Sequence, residues 1–216
     1  ALVAGNAKAE VEYEIHTGYT SQYIFRGVDL GDDLVEAGVD VAGEWNGVGL
    51  SAGIWGGIFD AGTANQTDEE VDFYGEASYD WGFMTSGIGY IYYWNLGRLG
   101  QDFQEVYFTI GKDWGWAESS FTYFWDVDGD NDGYSQLALS RGFELNPCLT
   151  LQVATSFGYL FEQSEFADWT SKIALDWGFT ETATLSPFMA LSVPMDSNWN
   201  NDQTEFYGGC MLSVGF

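Results

Sequence analysis

Residues 35–54 read VEAGVDVAGEWNGVGLSAGI. Val35, Ala37, Val39, Val41 and Trp45 alternate with Glu36, Gly38, Asp40 and Glu44, and past Asn46-Gly47 the series Val48, Leu50, Ala52 and Ile54 alternates with Gly49, Ser51 and Gly53. A period of two puts successive side chains on opposite faces of a strand, so each half has one apolar face and one acidic or small-residue face. Asn-Gly tolerates positive φ at both central positions of a two-residue turn, the commonest way to join antiparallel neighbours. The stretch is therefore a β-hairpin with chemically distinct faces.

On either side of this hairpin the same parity recurs. Val11, Tyr13, Ile15, Thr17 and Tyr19 alternate with Glu12, Glu14, His16 and Gly18; Val71, Phe73, Ala77 and Tyr79 alternate with Asp72, Tyr74, Glu76, Ser78 and Asp80. Further segments follow near 83–94, 103–113, 116–126, 134–144, 149–161, 168–177, 182–193 and 203–216. About twelve strands result, at ~18 residues per strand with its connection, the spacing of an outer-membrane barrel. No apolar run is long enough for a spanning helix; the uncharged stretch 81–97 carries four glycines and reads as a hairpin. The expected fold is all-β: one antiparallel up-and-down transmembrane barrel over 1–216, with residues 1–8 as a periplasmic extension. The absence of an initiator Met fits a chain whose signal peptide has been removed.

Connections alternate in length. Tight ones are expected at Asn46-Gly47, Trp81-Gly82, 113–115, Asn146-Pro147 and Trp177-Gly178, and longer polar ones at 27–33, 60–70, 95–101, 126–133, 162–167 and 194–202. Short periplasmic turns opposite long external loops are the asymmetry of bacterial barrels. Asp-Trp-Gly recurs at 80–82, 113–115 and 176–178 on the tight side, so Trp45, Trp81, Trp114, Trp116 and Trp177 are expected at headgroup depth, where amphipathic rings form a girdle. In the last strand Phe206, Gly208, Cys210, Leu212, Val214 and Phe216 share one parity, and the chain stops on the aromatic. This resembles the C-terminal signal read by the bacterial barrel-assembly machinery, with Phe216 as its key residue.

Residues 18–31 contain Ser21-Gln22-Tyr23-Ile24-Phe25-Arg26-Gly27. This Ser-x-Tyr-x-Phe-Arg-Gly core resembles the first-strand motif of a family of uncharacterised bacterial outer-membrane proteins. The resemblance implies location and fold and leaves chemistry open.

With 6 Lys and Arg against 33 Asp and Glu, the net charge is −27 and the pI about 4.1. Nucleic-acid binding needs the opposite sign, so that class is excluded. Cys148 and Cys210 are expected to be unpaired. Placing the polar parity inward lines the lumen with Glu12, Glu14, His16, Glu36, Asp40, Glu44, Asp72, Glu76, Asp80, Glu105, Glu118, Asp176 and Glu205, faced by Arg26 and Lys172. Carboxylates at this density need water, cations or protons beside them. The expected function is a small passive, porin-like channel with a cation-favouring lumen; the alternative is a structural or accessory barrel that binds a partner and conducts nothing. The expected surroundings are outer-membrane lipid, the assembly machinery during biogenesis and, in the alternative, another outer-membrane protein.

No catalytic residue is expected. His16, the single histidine, sits among acidic strand neighbours without a serine that the sequence ties to it, so the chain reads as a non-enzyme with no cofactor. Asp126, Asp128, Asp130 and Asp132 space carboxylates like the start of a calcium loop, but Leu139 occupies the position of the bidentate Glu. An EF-hand is rejected, and the readings left are a weak Ca²⁺ or Mg²⁺ site or a solvated acidic loop.

Overall fold

The computed structural model describes residues 11–61, 67–97, 101–129, 133–195 and 203–216. Twelve antiparallel strands run β1 Glu12–Phe25, β2 Val28–Trp45, β3 Val48–Asp60, β4 Thr67–Asp80, β5 Thr85–Asn95, β6 Phe103–Asp113, β7 Glu118–Asp126, β8 Tyr134–Asn146, β9 Leu149–Leu160, β10 Glu165–Gly178, β11 Ala183–Pro194 and β12 Glu205–Gly215. Each pairs with its sequence neighbours, and β1 pairs with β12 to close the barrel. Closure leaves no unpaired edge, the condition for strands to cross lipid. The first ten residues, which include the expected periplasmic extension, lie outside the described residues.

The alternation places the apolar parity outside. Val35, Ile54, Ile58, Phe108, Ile173, Met189 and Phe206 are all exposed on the wall, Val35 at 56% and Phe206 at 64%. An apolar exterior on a closed barrel, with the polar parity turned inward, is inverted relative to a water-soluble core and fits hydrocarbon. At the seam, Glu14 to Thr20 pair with Gly215 to Gly209. Past that ladder the Ser21 hydroxyl accepts from the Gly208 N–H at 3.1 Å, and the terminal residue joins in through Phe216 N–H to Tyr13 carbonyl at 2.9 Å.

The end carrying both termini has connections of two to four residues: 46–47, 81–84, 114–117, 147–148 and 179–182. Asn46 and Gly47 both adopt positive φ, as their turn requires. In the first two Asp-Trp-Gly copies the Asp side chain accepts from the Gly N–H, Asp80 from Gly82 at 2.7 Å and Asp113 from Gly115 at 2.6 Å, with each Gly at positive φ. The Trp indole then donates to a Ser five residues on, Trp81 to Ser86 and Trp114 to Ser119, both at 2.9 Å. The third copy behaves differently. Asp176 accepts from Ser186 instead, Gly178 remains in β10, and the turn moves to 179–182, where Thr180 caps Ala183.

At the opposite end one expectation is overturned. Residues 27–33 are not a loop: β1 and β2 are joined by Arg26-Gly27 alone, both at positive φ (52° and 82°), and β2 starts at Val28 with irregular pairing near Asp32. The remaining connections span 61–66, 96–102, 127–133, 161–164 and 195–204.

Candidate functional site

Glycines on the inward parity let side chains lie flat across a neighbouring strand. Asp40, Gly53 and Tyr74 form one row through β2, β3 and β4, and the Tyr74 hydroxyl crosses Gly53 to donate to Asp40 at 2.6 Å. Glu76, Gly89 and Tyr107 repeat the arrangement through β4, β5 and β6, with Tyr107 bonded to Glu76. His16 lies over Gly38, its Nε2 3.2 Å from Asp40, while the Trp55 indole on the other side of Gly38 donates to Glu36 at 2.7 Å. A Cβ on Gly38, Gly53 or Gly89 would collide with these side chains. These carboxylates are thus held by donors from the next strand or the one beyond it, as charged acceptors removed from bulk water must be.

Two zones follow along the axis. Near the end with the termini the lumen opens into a cavity of about 470 Å³ lined by Glu14, His16, Asp40, Lys172, Asp176 and Phe188, among others. Lys172, the ammonium of that lining, stands 4.1 Å from the Phe188 ring centroid. Lys172 and Ser186 project from β10 and β11, on the other side of the seam from Glu14 and His16.

Toward the other end the interior is packed. The Arg26-Gly27 turn folds inward, and the Arg26 guanidinium donates two parallel hydrogen bonds to Glu105, at 2.7 and 2.6 Å. Its Cζ lies 4.7, 4.6 and 4.4 Å from the ring centroids of Phe25, Phe124 and Tyr134, close enough for cation–π attraction to each. Tyr93 also donates to Glu105, at 3.1 Å, and stacks on Phe103. Tyr134 donates to Asp168 at 3.1 Å, against which Gly27 packs so closely that a Cβ would clash. Glu105 and Asp168 are only 3% and 2% exposed. Leu34, Phe59, Tyr93 and Tyr134 fill the same layer, with Tyr23 packed on Phe59 and donating to Glu70 at 3.2 Å.

Most of the Ser21 to Gly27 motif is accounted for by these contacts. Ser21 extends the seam, Tyr23 and Phe25 fill the packed layer, Arg26 meets Glu105, and Gly27 admits the turn beside Asp168. Gln22 donates to Glu205 at 2.8 Å. Among the other residues read as lumen-facing, Asp72 lies beside Glu70 with its buried Oδ1 lacking a hydrogen bond, whereas Asp80 is used in its own turn. Glu12 and Glu44 are exposed near the end carrying the termini.

Sequence reasoning missed Tyr93, Phe124, Tyr134 and Asp168, the partners of the inward hairpin. Their signal was weak: Tyr93 shares the parity of Gly87 and Gly89, and Tyr134 that of Gln136. Trp45, Trp81, Trp114, Trp116 and Trp177 are all exposed near the tight-turn end. Two cations join this outer surface, Lys112 donating to the Phe83 carbonyl at 2.8 Å and Arg141 set 4.7 Å from the Phe143 ring centroid. Asp130 and Asp132 lie outside the described residues; Asp126 caps Asp128 and Gly129, and Asp128 accepts from Gln104. No three metal-ligating side chains converge among the described residues. Cys148 and Cys210 are unpaired.

Solved barrels share this architecture. An outer membrane channel from Pseudomonas putida F1 superposes with a TM-score of 0.61 at 11% identity, covering 96% of this chain and 95% of that one. The NanC porin gives 0.58 at 12% identity over 94% and 98%. Outer membrane phospholipase A from Escherichia coli gives 0.51 at 13% identity over 95% and 90%, so the fold alone does not separate channels from enzymes. None of the curated proteins matches the sequence. The closed twelve-stranded barrel, apolar outside and polar within, places the protein in the bacterial outer membrane. Residues 4–192 match a family described as a bacterial protein of unknown function (Gcw_chp), and the chain belongs to that family.

Proposed function

We propose that the protein is a small passive channel whose acidic lumen favours cations, with the Arg26 layer as its constriction and the tight-turn end in the periplasm. The observation that carries the reading is the lumen wall itself. The cavity near the termini presents Glu14, Asp40 and Asp176 against Lys172, and the cavity of about 500 Å³ on the far side of Arg26 presents Asp126 and Glu162. Fixed carboxylates raise the local concentration of cations and repel anions. The likeness to a channel and a porin supports the fold this requires, and the chain's own carboxylates supply the charge. The reading is non-enzymatic: it asks of His16 only that it stay beside Asp40 on the lumen wall.

Reconstitution in planar bilayers tests it: a salt gradient should give a reversal potential of the cation-selective sign. A second reading, an accessory barrel that binds a partner and conducts nothing, is favoured by the packing around Arg26. It would be adopted if well-inserted parent protein and an Arg26→Ala variant were both electrically silent.

A further inference from the structure

The Arg26 guanidinium sits in surroundings built for a planar organic cation, yet it arrives there from a turn and not from a strand of the wall. Arg26 belongs to neither flanking strand. It occupies the first position of a two-residue turn, at a φ of 52° that side chains with a Cβ adopt at a cost, and its head group reaches across to β6. The receiving groups come from strands distant in the barrel order: Glu105 on β6, Phe124 on β7 and Tyr134 on β8, with Tyr93 of β5 fixing the Glu105 carboxylate from behind. Glu105 is almost wholly buried and offers both oxygens to the fork. An anchor needs only a salt bridge; a carboxylate that offers both oxygens, with aromatic rings against the cation it holds, recognises the shape and delocalised charge of a guanidinium.

We propose that Glu105, Phe124 and Tyr134 form a recognition site for guanidinium-type organic cations, and that Arg26 is its built-in occupant. This deepens the cation-favouring reading of the lumen and rests on it. Access is from the loop end, where the cavity of about 500 Å³ runs past Phe25, Arg26, Glu105, Tyr134, Asp126 and Glu162 and adds further negative charge along the way. A solute cation would take the place of Arg26 on Glu105, exchanging one bidentate pair for an equivalent one. The selectivity expected is for a fork-shaped cation over a compact ammonium of equal charge, because only the former fills both oxygens of Glu105 while lying against the rings.

The test uses full-length protein folded in detergent, so it is independent of conductance. Arg26→Ala empties the site; ethylguanidinium, ethylammonium and potassium chloride are then titrated at matched ionic strength, following thermal unfolding midpoint and ligand-observed NMR. Arg26→Ala should bind ethylguanidinium and be stabilised by it. The parent should bind at least about tenfold more weakly, since its site is occupied most of the time. Adding Glu105→Gln to Arg26→Ala should weaken binding by about tenfold or more. If Arg26→Ala folds poorly alone, ethylguanidinium during refolding should raise its folded yield, and Arg26→Gln serves for the titration. The proposal is overturned if the folded variant does not bind ethylguanidinium, if ethylammonium binds equally well, or if Glu105→Gln leaves binding unchanged. A silent bilayer with intact ethylguanidinium binding would remove the channel reading and leave this site standing.

Discussion

The Tyr74 hydroxyl crosses the bare backbone of Gly53 to donate to Asp40 at 2.6 Å, joining three strands through one hydrogen bond. A Cβ at Gly53 would meet the carboxylate and stand 2.5 Å from Tyr74 ring carbons. Gly53→Ala should therefore destabilise the barrel by about 1–3 kcal/mol, the usual range for overpacking. Gly56→Ala, on the same strand, is the control, since an added Cβ there meets its nearest neighbours at 3.7 Å, ordinary van der Waals contact. Urea unfolding in micelles compares them; equal midpoints would show that the crossing contributes nothing.

Removing one partner of the Arg26–Glu105 pair leaves a buried charge or an unanswered fork. Glu105→Gln should cost about 3–5 kcal/mol, whereas an apolar pair, Arg26→Met with Glu105→Leu, should cost much less because no charge is stranded. The same unfolding measurement decides. A double variant no more stable than Glu105→Gln would place the stabilisation elsewhere in the layer.

Legibility in the sequence follows from turn chemistry and register. Asn46-Gly47 signals its turn because both residue types accept positive φ; Arg26-Gly27 adopts the same conformation, but Arg is not a residue such turns favour, so the sequence suggests a loop over 27–33 where the structure has a tight hairpin. The parity of Glu36, Asp40 and Glu76 is visible because it needs only local alternation. The rows through Gly53 and Gly89 are not, because they depend on which residue of one strand faces which of the next, and that register is fixed by the whole closed sheet. Leu34, Phe59 and Phe124 share the inward parity with the acids, so a lumen read as uniformly polar conceals the packed layer. The three Asp-Trp-Gly copies look alike in sequence. Only two of them become capped turns, since Asp176 finds Ser186 across the strand pair.

Topology has a natural probe in Cys148. It is exposed in the 147–148 turn at the end carrying both termini, while the other thiol, Cys210, shares the outward parity of β12. With that end in the periplasm, a membrane-impermeant maleimide should leave Cys148 unlabelled on intact cells and modify it once the outer membrane is permeabilised. Labelling on intact cells would invert the barrel.

Phe216 is exposed, yet its backbone makes two hydrogen bonds with Tyr13, N–H to carbonyl in each direction at 2.9 and 3.3 Å. Deleting it removes these bonds at the seam together with the terminal aromatic. Phe216→Asp keeps the backbone pairing and changes only the side chain. If the ring is an assembly signal, both variants should insert poorly in cells, while Phe216→Asp refolded into detergent should unfold close to the parent. Normal insertion of Phe216→Asp in cells would confine Phe216 to the seam.

Charge selection should reside where carboxylates meet water and are not sequestered in the packed layer. Glu14 and Asp176 line the cavity of about 470 Å³ near the termini, Asp176 accepting a hydrogen bond from Ser186 that its amide would also accept. Glu14→Gln with Asp176→Asn should therefore reduce the cation preference of any conductance without unfolding the protein, because the exterior that meets lipid is untouched. Lys172→Met should act in the opposite direction by removing the ammonium from that cavity's lining. Raising the salt should weaken the preference of the parent as well, since the screening length falls from ~10 Å at 0.1 M to ~3 Å at 1 M. Reversal potentials across a fixed gradient at low and high salt measure all three. If the amide pair and Lys172→Met shift the potential in the same direction, the wall charges near the termini do not set selectivity.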